Sequence, residues 1–220
     1  MNNPGLNRGG ALRWLMAGVL TGAVLGALGG CVALAGGAVA GGTMMAMDRR
    51  SSGTQLDDQA IELRAAVALD QTIGERGHVN ATSDNRVVLL TGEVPTEADR
   101  AKVEAAITKV DNVRVVLNEL AVMPNTTLSQ RANDTVITGK VKAAIFDAKE
   151  LQVVSVKVVT ERGVVYLMGR VTEAESIVAS QVARAVGGVQ KVVKVFEIIS
   201  AAEAAAMPVP PPGAAPAPAK

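Results

Sequence analysis

Aromatic residues make up only 2% of this 220-residue chain, cysteine and histidine occur once each, and neither sign of charge dominates. Each scarcity excludes a class of function. A lone Cys31 can form neither an intramolecular disulfide nor a cysteine metal cluster, and a lone His78 leaves no Ser-His-Asp arrangement and no histidine-rich metal site. With 22 basic against 21 acidic residues and almost nothing to stack on bases, the chain has no footprint for nucleic acid. Gly36-Gly37 and Gly41-Gly42 lack the Lys and Ser/Thr of a phosphate loop and follow no predicted strand. Asp57 and Asp58 would point about 100° apart on a helix, so they read as helix-start caps rather than an acid–base pair. No catalytic residue, metal site or cofactor is expected, and an enzyme is not predicted. What is abundant is Ala, Val and Gly, which calls for an aliphatic, closely packed core.

Charge is also scarce at the N-terminus, where Arg8 and Arg13 are the only charged residues before Cys31. A polar start followed by an apolar run from Trp14 to Leu28 is the pattern of a secretory signal. The run closes on Leu28-Gly29-Gly30-Cys31, which resembles a bacterial lipobox. Small side chains there admit the backbone to a membrane peptidase, and the Cys31 thiol would accept diacylglycerol. Residues 1–30 are thus read as a signal peptide and 31–55 as lipid anchor and tether. Several acyl chains, at ~0.8 kcal/mol per buried CH₂, hold a protein on a membrane far more firmly than one. The competing reading is an uncleaved membrane helix, because Val32 to Met47 stays apolar, but its glycines make it a poor spanning segment. Val32, rather than Asp, follows the cysteine, which points to outer-membrane delivery.

The rest of the chain repeats itself. Val87-Val88-Leu89-Leu90-Thr91-Gly92-Glu93-Val94 recurs as Val164-Val165-Tyr166-Leu167-Met168-Gly169-Arg170-Val171, and Asp58, Ile61, Arg64 and Leu69 map onto Asp134, Ile137, Lys140 and Ile145. Two modules follow, 56–123 and 132–200, with a Pro/Ala-rich tail, 201–220, read as disordered or polyproline-like.

In the second module Asp134 is a natural N-cap, and Ile137, Val141, Ala144 and Ile145 recur at helical spacing over 134–147. Two β-branched runs, Val153 to Thr160 and Val164 to Val171, flank Glu161-Arg162-Gly163 and read as a hairpin. Thr172 to Glu175 is a capping box before a second helix that Gly187-Gly188 ends, and Val189 to Ile199 is the last strand. The predicted fold class is α+β, with two tandem αββαβ modules, each a three-stranded mixed sheet bearing two helices on one face. The central strand is apolar on both sides although helices cover one, so the bare face is predicted to meet the other module or a partner.

That element order, Gly92 and Gly169 after each central strand, and the Val-x-x-Val of each last strand resemble the BON domain. Gly53-Thr54-Gln55, Asn133-Asp134-Thr135 and Tyr166-Leu167-Met168-Gly169-Arg170-Val171-Thr172-Glu173 extend the likeness to lipoproteins of the Gram-negative outer membrane that carry two such domains. The resemblance implies a lipoprotein on the periplasmic face of the outer membrane that supports envelope integrity. It further implies binding of anionic phospholipid through the second domain, gathering at division sites and a link to the outer-membrane protein assembly machinery. An alternative within the family is a periplasmic protein-interaction module serving osmotic stress or quality control.

The phospholipid-binding residues predicted on helix 134–147 are Val136, Gly139, Ala143 and Phe146, one strip at about 100° per residue, bordered by Lys140 and Lys142. An apolar strip edged by cations suits an anionic interface, and from 132 to 200 the charge balance is positive, whereas from 48 to 123 it is negative. The competing assignment packs the strip against module one, which has a similar strip at Ala60, Leu63 and Val67. The lipoproteins that the chain resembles carry a tryptophan where this chain has Val136, and losing an interfacial aromatic weakens docking.

Overall fold

The structure, a computed structural model, describes residues 48–151 and 156–207. Module one runs α1 (Ser52–Thr72), β1 (His78–Asp84), β2 (Val87–Val94), α2 (Glu97–Ile107), β3 (Val115–Asn118) and a two-residue β4 (Ala121–Val122). Module two runs α3 (Leu128–Asp147), β5 (Lys157–Glu161), β6 (Val164–Val171), α4 (Glu173–Ala185) and β7 (Lys191–Ile198), and a short α5 (Ala201–Ala206) follows. In each sheet the first two strands pair antiparallel and the last lies parallel to the central one. The third strand of module one breaks at Glu119-Leu120, so that β3 and β4 both run parallel to β2.

Period-two alternation in the central strands builds two kinds of core. Val88, Leu90 and Val94 of β2 face α1 and α2, packing with Ile61, Ala65, Leu69, Val103 and Ile107. Val165 and Leu167 of β6 likewise meet Ile137, Val141, Ile145, Ala179 and Ala183. The intervening residues, Leu89 on β2 with Tyr166 and Met168 on β6, form a third cluster, joined by Leu117, Val159, Val193 and Val195. The bare faces of the two sheets therefore cover each other, as the doubly apolar central strands predict. The layers run helix, sheet, sheet, helix.

Both leading helices begin six residues before the aspartates that sequence marks as their start. Ser51 caps α1 and Thr127 caps α3, the latter in a full capping box with Gln130. Asp58 and Asp134 lie inside the helices, buried, and tie the β-hairpins instead. Asp134 accepts the backbone N–H groups of Arg162 and Gly163 at 2.8 Å each. Asp58 accepts those of Asn85 and Arg86 at 2.9 and 2.8 Å, with the Ser83 hydroxyl at 2.7 Å. Arg86, Asn85 and Arg162 all have positive φ, so each turn has amides aimed inward that need an acceptor. Asp57 is no cap either: its carboxylate pairs with Arg86 at 2.6 Å.

The tail also begins differently from its predicted irregular form. Ser200 and Glu203 make a capping box, and the alanines that follow are strong helix formers, so Ala201–Ala206 is helical. Residues 208–220 lie outside the described part. So do residues 152–155, and β5 is described only from Lys157.

Candidate functional site

Helix α3 has two faces. Ile137, Val141 and Ile145 are buried under the sheet of module two. On the other face Val136 is 54% and Phe146 75% exposed, with Gly139, Lys140, Lys142 and Ala143 exposed between them. Module one covers the sheet, not this helix, so the strip is open along its length. A Cβ built on Gly139 would meet nothing within 4 Å, so no packing inside the chain requires glycine there. Among the described residues neither Lys140 nor Lys142 forms an ion pair.

One residue escapes sequence reasoning. Leu128, 78% exposed, is the first residue of α3 and stands eight before Val136, which lengthens the strip by two turns. Placing the helix start at Asp134 hides it; the Thr127-x-x-Gln130 capping box is the signal that would have found it. Cys31 lies outside the described residues. Among these, no helix is long and apolar enough to cross a membrane.

Helix α1 bears a matching strip, with Leu56, Leu63 and Val67 exposed and Ala60 half-buried. Its polar neighbours differ, because Asp57 and Asp70 stand where α3 has Asn133 and Phe146, and Ala66 stands where α3 has Lys142. Geometry alone gives the chain two candidate faces; charge separates them.

The seam between the sheets is pinned by ions at both ends. At one end Glu93, fully buried at the end of β2, accepts from Arg162 of the opposite hairpin and from the Thr126 amide at 3.1 Å. Arg162 also donates to the Gly92 carbonyl at 3.0 Å. Burial, together with the charge of Glu93, pushes the neighbouring Glu161 carboxyl up to about 7. His78 bonds Arg131 there at 3.2 Å, and burial and that cation lower its pKa. At the other end Glu197 of β7 gathers Asn85 at 2.7 Å, Arg114 at 2.9 Å and Arg170 at 3.3 Å.

Two consecutive arginines span that second end. Arg49 makes a bidentate pair with Glu175, at the start of α4, at 2.6 and 2.8 Å, and also donates to the Arg170 carbonyl at 3.2 Å. Arg50 pairs with Asp58 at 2.6 Å and Asp84 at 2.9 Å in module one, and with Asp48 beside it. Both guanidinium side chains are at least nine-tenths buried. The short segment before α1 is therefore fastened to both modules.

The BON domain profile matches residues 56–124 and 133–200. The chain is 39% identical over 176 residues, 78% of its own length and 90% of the relative's, to a Haemophilus influenzae protein named outer membrane lipoprotein DolP. It is 34% identical over 155 residues, 70% of its length and 80% of the relative's, to the 21 kDa hemolysin of Actinobacillus pleuropneumoniae. It is also 32% identical over 144 residues, 64% of its length and 72% of the relative's, to osmotically-inducible protein Y of Escherichia coli.

Proposed function

This chain belongs to the BON-domain family, and on that premise we propose that it is an envelope lipoprotein whose second module binds anionic phospholipid through the outer face of α3. The observation that carries the reading is the open strip from Leu128 through Val136 to Phe146, flanked by the unpaired Lys140 and Lys142. Similarity to a protein named an outer membrane lipoprotein supports attachment to the outer membrane through an acylated Cys31, with the modules on the periplasmic side. No chemistry is assigned to either module; the work is binding.

Each lysine near an anionic surface contributes ~1 kcal/mol and burial of Phe146 ~2 kcal/mol. Such contacts are weak singly, but an anchor holds them at high local concentration. The unacylated chain should therefore sediment with phosphatidylglycerol vesicles in a salt-sensitive way and hardly at all with phosphatidylcholine vesicles. Lys140→Glu with Phe146→Ser should abolish binding, and Val136→Trp should tighten it. No preference for the anionic vesicles, or wild-type binding by the double variant, would falsify the lipid reading and favour a protein-interaction role. Fatty-acid labelling in cells checks the anchor: label on wild type and none on Cys31→Ser is expected, and equal label on both overturns it.

A further inference from the structure

Strands β1 and β5 each lie at the edge of their sheet, and the two edges border one groove of about 640 Å³. Ala66, Leu69 and Asp70 of α1 line it on the side of module one, and Val159, Thr160 and Glu161 of β5 on the side of module two. The turns fix which main-chain groups face outward. Asn85-Arg86 and Arg162-Gly163 are two-residue hairpin loops with positive φ at both positions, closed by the pairs Asp84 with Val87 and Glu161 with Val164. Residues that close such a loop bond to each other, so Asp84, Thr82 and Asn80 turn their amides and carbonyls to β2, whereas Ser83, Ala81 and Val79 turn theirs to the free edge. Ser83 shows it: its amide donates to Glu62 at 2.9 Å and its carbonyl accepts from Lys157. Those two side chains close that end of the edge. Among the described residues Val79 and Ala81 have no such partners, and both line the groove. The open part of the edge is recessed between α1 and β5, which leaves room for one extended chain but not for the sheet of another folded body.

Charge selects the chain that fits. Glu62, Asp70 and Glu161 line the groove, and no lysine or arginine does. Lys157 pairs with Glu62, but among the described residues Asp70 and Glu161 form no ion pair. Glu161 is only 4% exposed, and Arg162 next to it is taken by Glu93. A cation entering the groove would meet a carboxylate already stripped of water, where a pair is stronger than at an open surface. We propose that the groove between β1 and β5 binds an extended, lysine- or arginine-bearing segment of a partner protein, added as a strand to the Val79–Ala81 edge with its cation on Glu161. The site lies apart from the outer strip of α3 and does not rest on the lipid reading. Main-chain bonds to the edge hold any sequence, while Ala66 and Leu69 on one wall and Glu161 on the other select side chains that alternate, apolar with basic.

The probes are acetylated hexapeptide amides of alternating valine and threonine, fluorescently labelled, with one lysine stepped through the six positions. Each is titrated by anisotropy with the unacylated chain at about pH 8, where Glu161, raised to about 7, is ionised. At least one lysine position should bind about tenfold more tightly than the same peptide with glutamate there. Methylating alternate amide nitrogens of that peptide leaves the protein untouched, and should weaken binding about tenfold for the set that faces β1 and little for the other. Glu161→Gln should erase the preference for lysine. Ala81→Pro, which removes an outward amide and no bond to β2, should weaken every peptide. Thermal unfolding of both variants separates a lost site from a lost fold, and if Ala81→Pro unfolds, the methylated peptides decide the role of the edge alone. No lysine position above its glutamate counterpart, equal binding by the two methylated sets, or undiminished preference in Glu161→Gln overturns the proposal. So does binding that appears only when residues 208–220 are removed, which gives the groove to the chain's own tail. A concentration-dependent dimer of the wild-type chain that Ala81→Pro abolishes gives the edge to a second copy and overturns it equally.

Discussion

At the scale of the residue, the two buried aspartates show how one side chain can be read for the wrong task. Asp58 and Asp134 stand where a sequence pattern places an N-cap, and a carboxylate that caps a helix looks the same in sequence as one that ties a hairpin. Only the tertiary partner separates them, and that partner is 28 residues away in each module. Gly92 was more legible. Its φ is +117°, and a Cβ there would lie 1.9 Å from the His78 carbonyl oxygen, so the strand can close against β1 only with glycine. Removing the Asp134 carboxylate strands two inward amides, each donating to a charged acceptor in a bond worth about 1.5–3 kcal/mol. Asp134→Ala should therefore destabilise the chain by about 3 kcal/mol or more, and Asp134→Asn, which still offers one acceptor, by less. Urea titration of both variants checks this, and a loss under about 1 kcal/mol for the alanine would show the turn to be held by other means.

At the scale of the element, α3 is the clearest case of what hydrophobic period reveals and what it hides. The buried stripe Ile137, Val141 and Ile145 is legible because one face of a helix must repeat at its own pitch. The opposite strip is equally periodic, but period cannot say whether a second face is covered by protein. The structure shows that no part of the described chain covers it. Gly139 belongs to this argument, since mid-helix glycine costs about 1 kcal/mol relative to alanine and the site is open. Gly139→Ala should raise the stability of the chain by about that amount in thermal unfolding. A decrease would mean that the helix is held in a strained form. The same substitution leaves the lysines and Phe146 in place, so binding to phosphatidylglycerol vesicles should change little.

At the scale of the whole molecule, the seam makes two modules into one body. The doubly apolar central strands foretold it, while its ionic ends were illegible because they rest on pairs across the repeat, Glu93 with Arg162 and Glu197 with Asn85 and Arg114. Residues 48–123 and 132–200 expressed apart should each expose Leu89 or Tyr166 and Met168 and unfold at lower denaturant than the tandem; equal midpoints would deny the seam an energetic role. The seam should also respond to pH. Glu161 is raised to about 7 and Asp84 to about 6, each chiefly by burial, from ordinary values of 4.5 and 3.8. A raised carboxyl favours the folded state fully at low pH and loses that contribution as pH climbs through the folded value. Asp58, Glu175 and Glu197 are lowered despite burial, by hydrogen bonds and nearby arginines, and act oppositely, losing their contribution as pH falls. Stability should thus peak in mildly acidic buffer, and Glu161→Gln should flatten the decline between about pH 5 and about pH 7. A wild-type profile already flat across that range would contradict it.

The face-to-face sheets carry a consequence for ancestry. A single module with this bare face could bury it only by meeting another molecule, so its folding would depend on concentration. Joining two copies through the few residues between Val122 and Leu128 replaces that encounter with an intramolecular one at high effective molarity. Once joined, the copies were free to diverge: Glu93 and Arg170 occupy equivalent places in the repeat with opposite signs. Two second modules facing each other in the same way would set Arg162 against Arg170, whereas the tandem sets Arg162 against Glu93. Duplication thus converted a surface that could pair with any sister chain into one that selects its own other half.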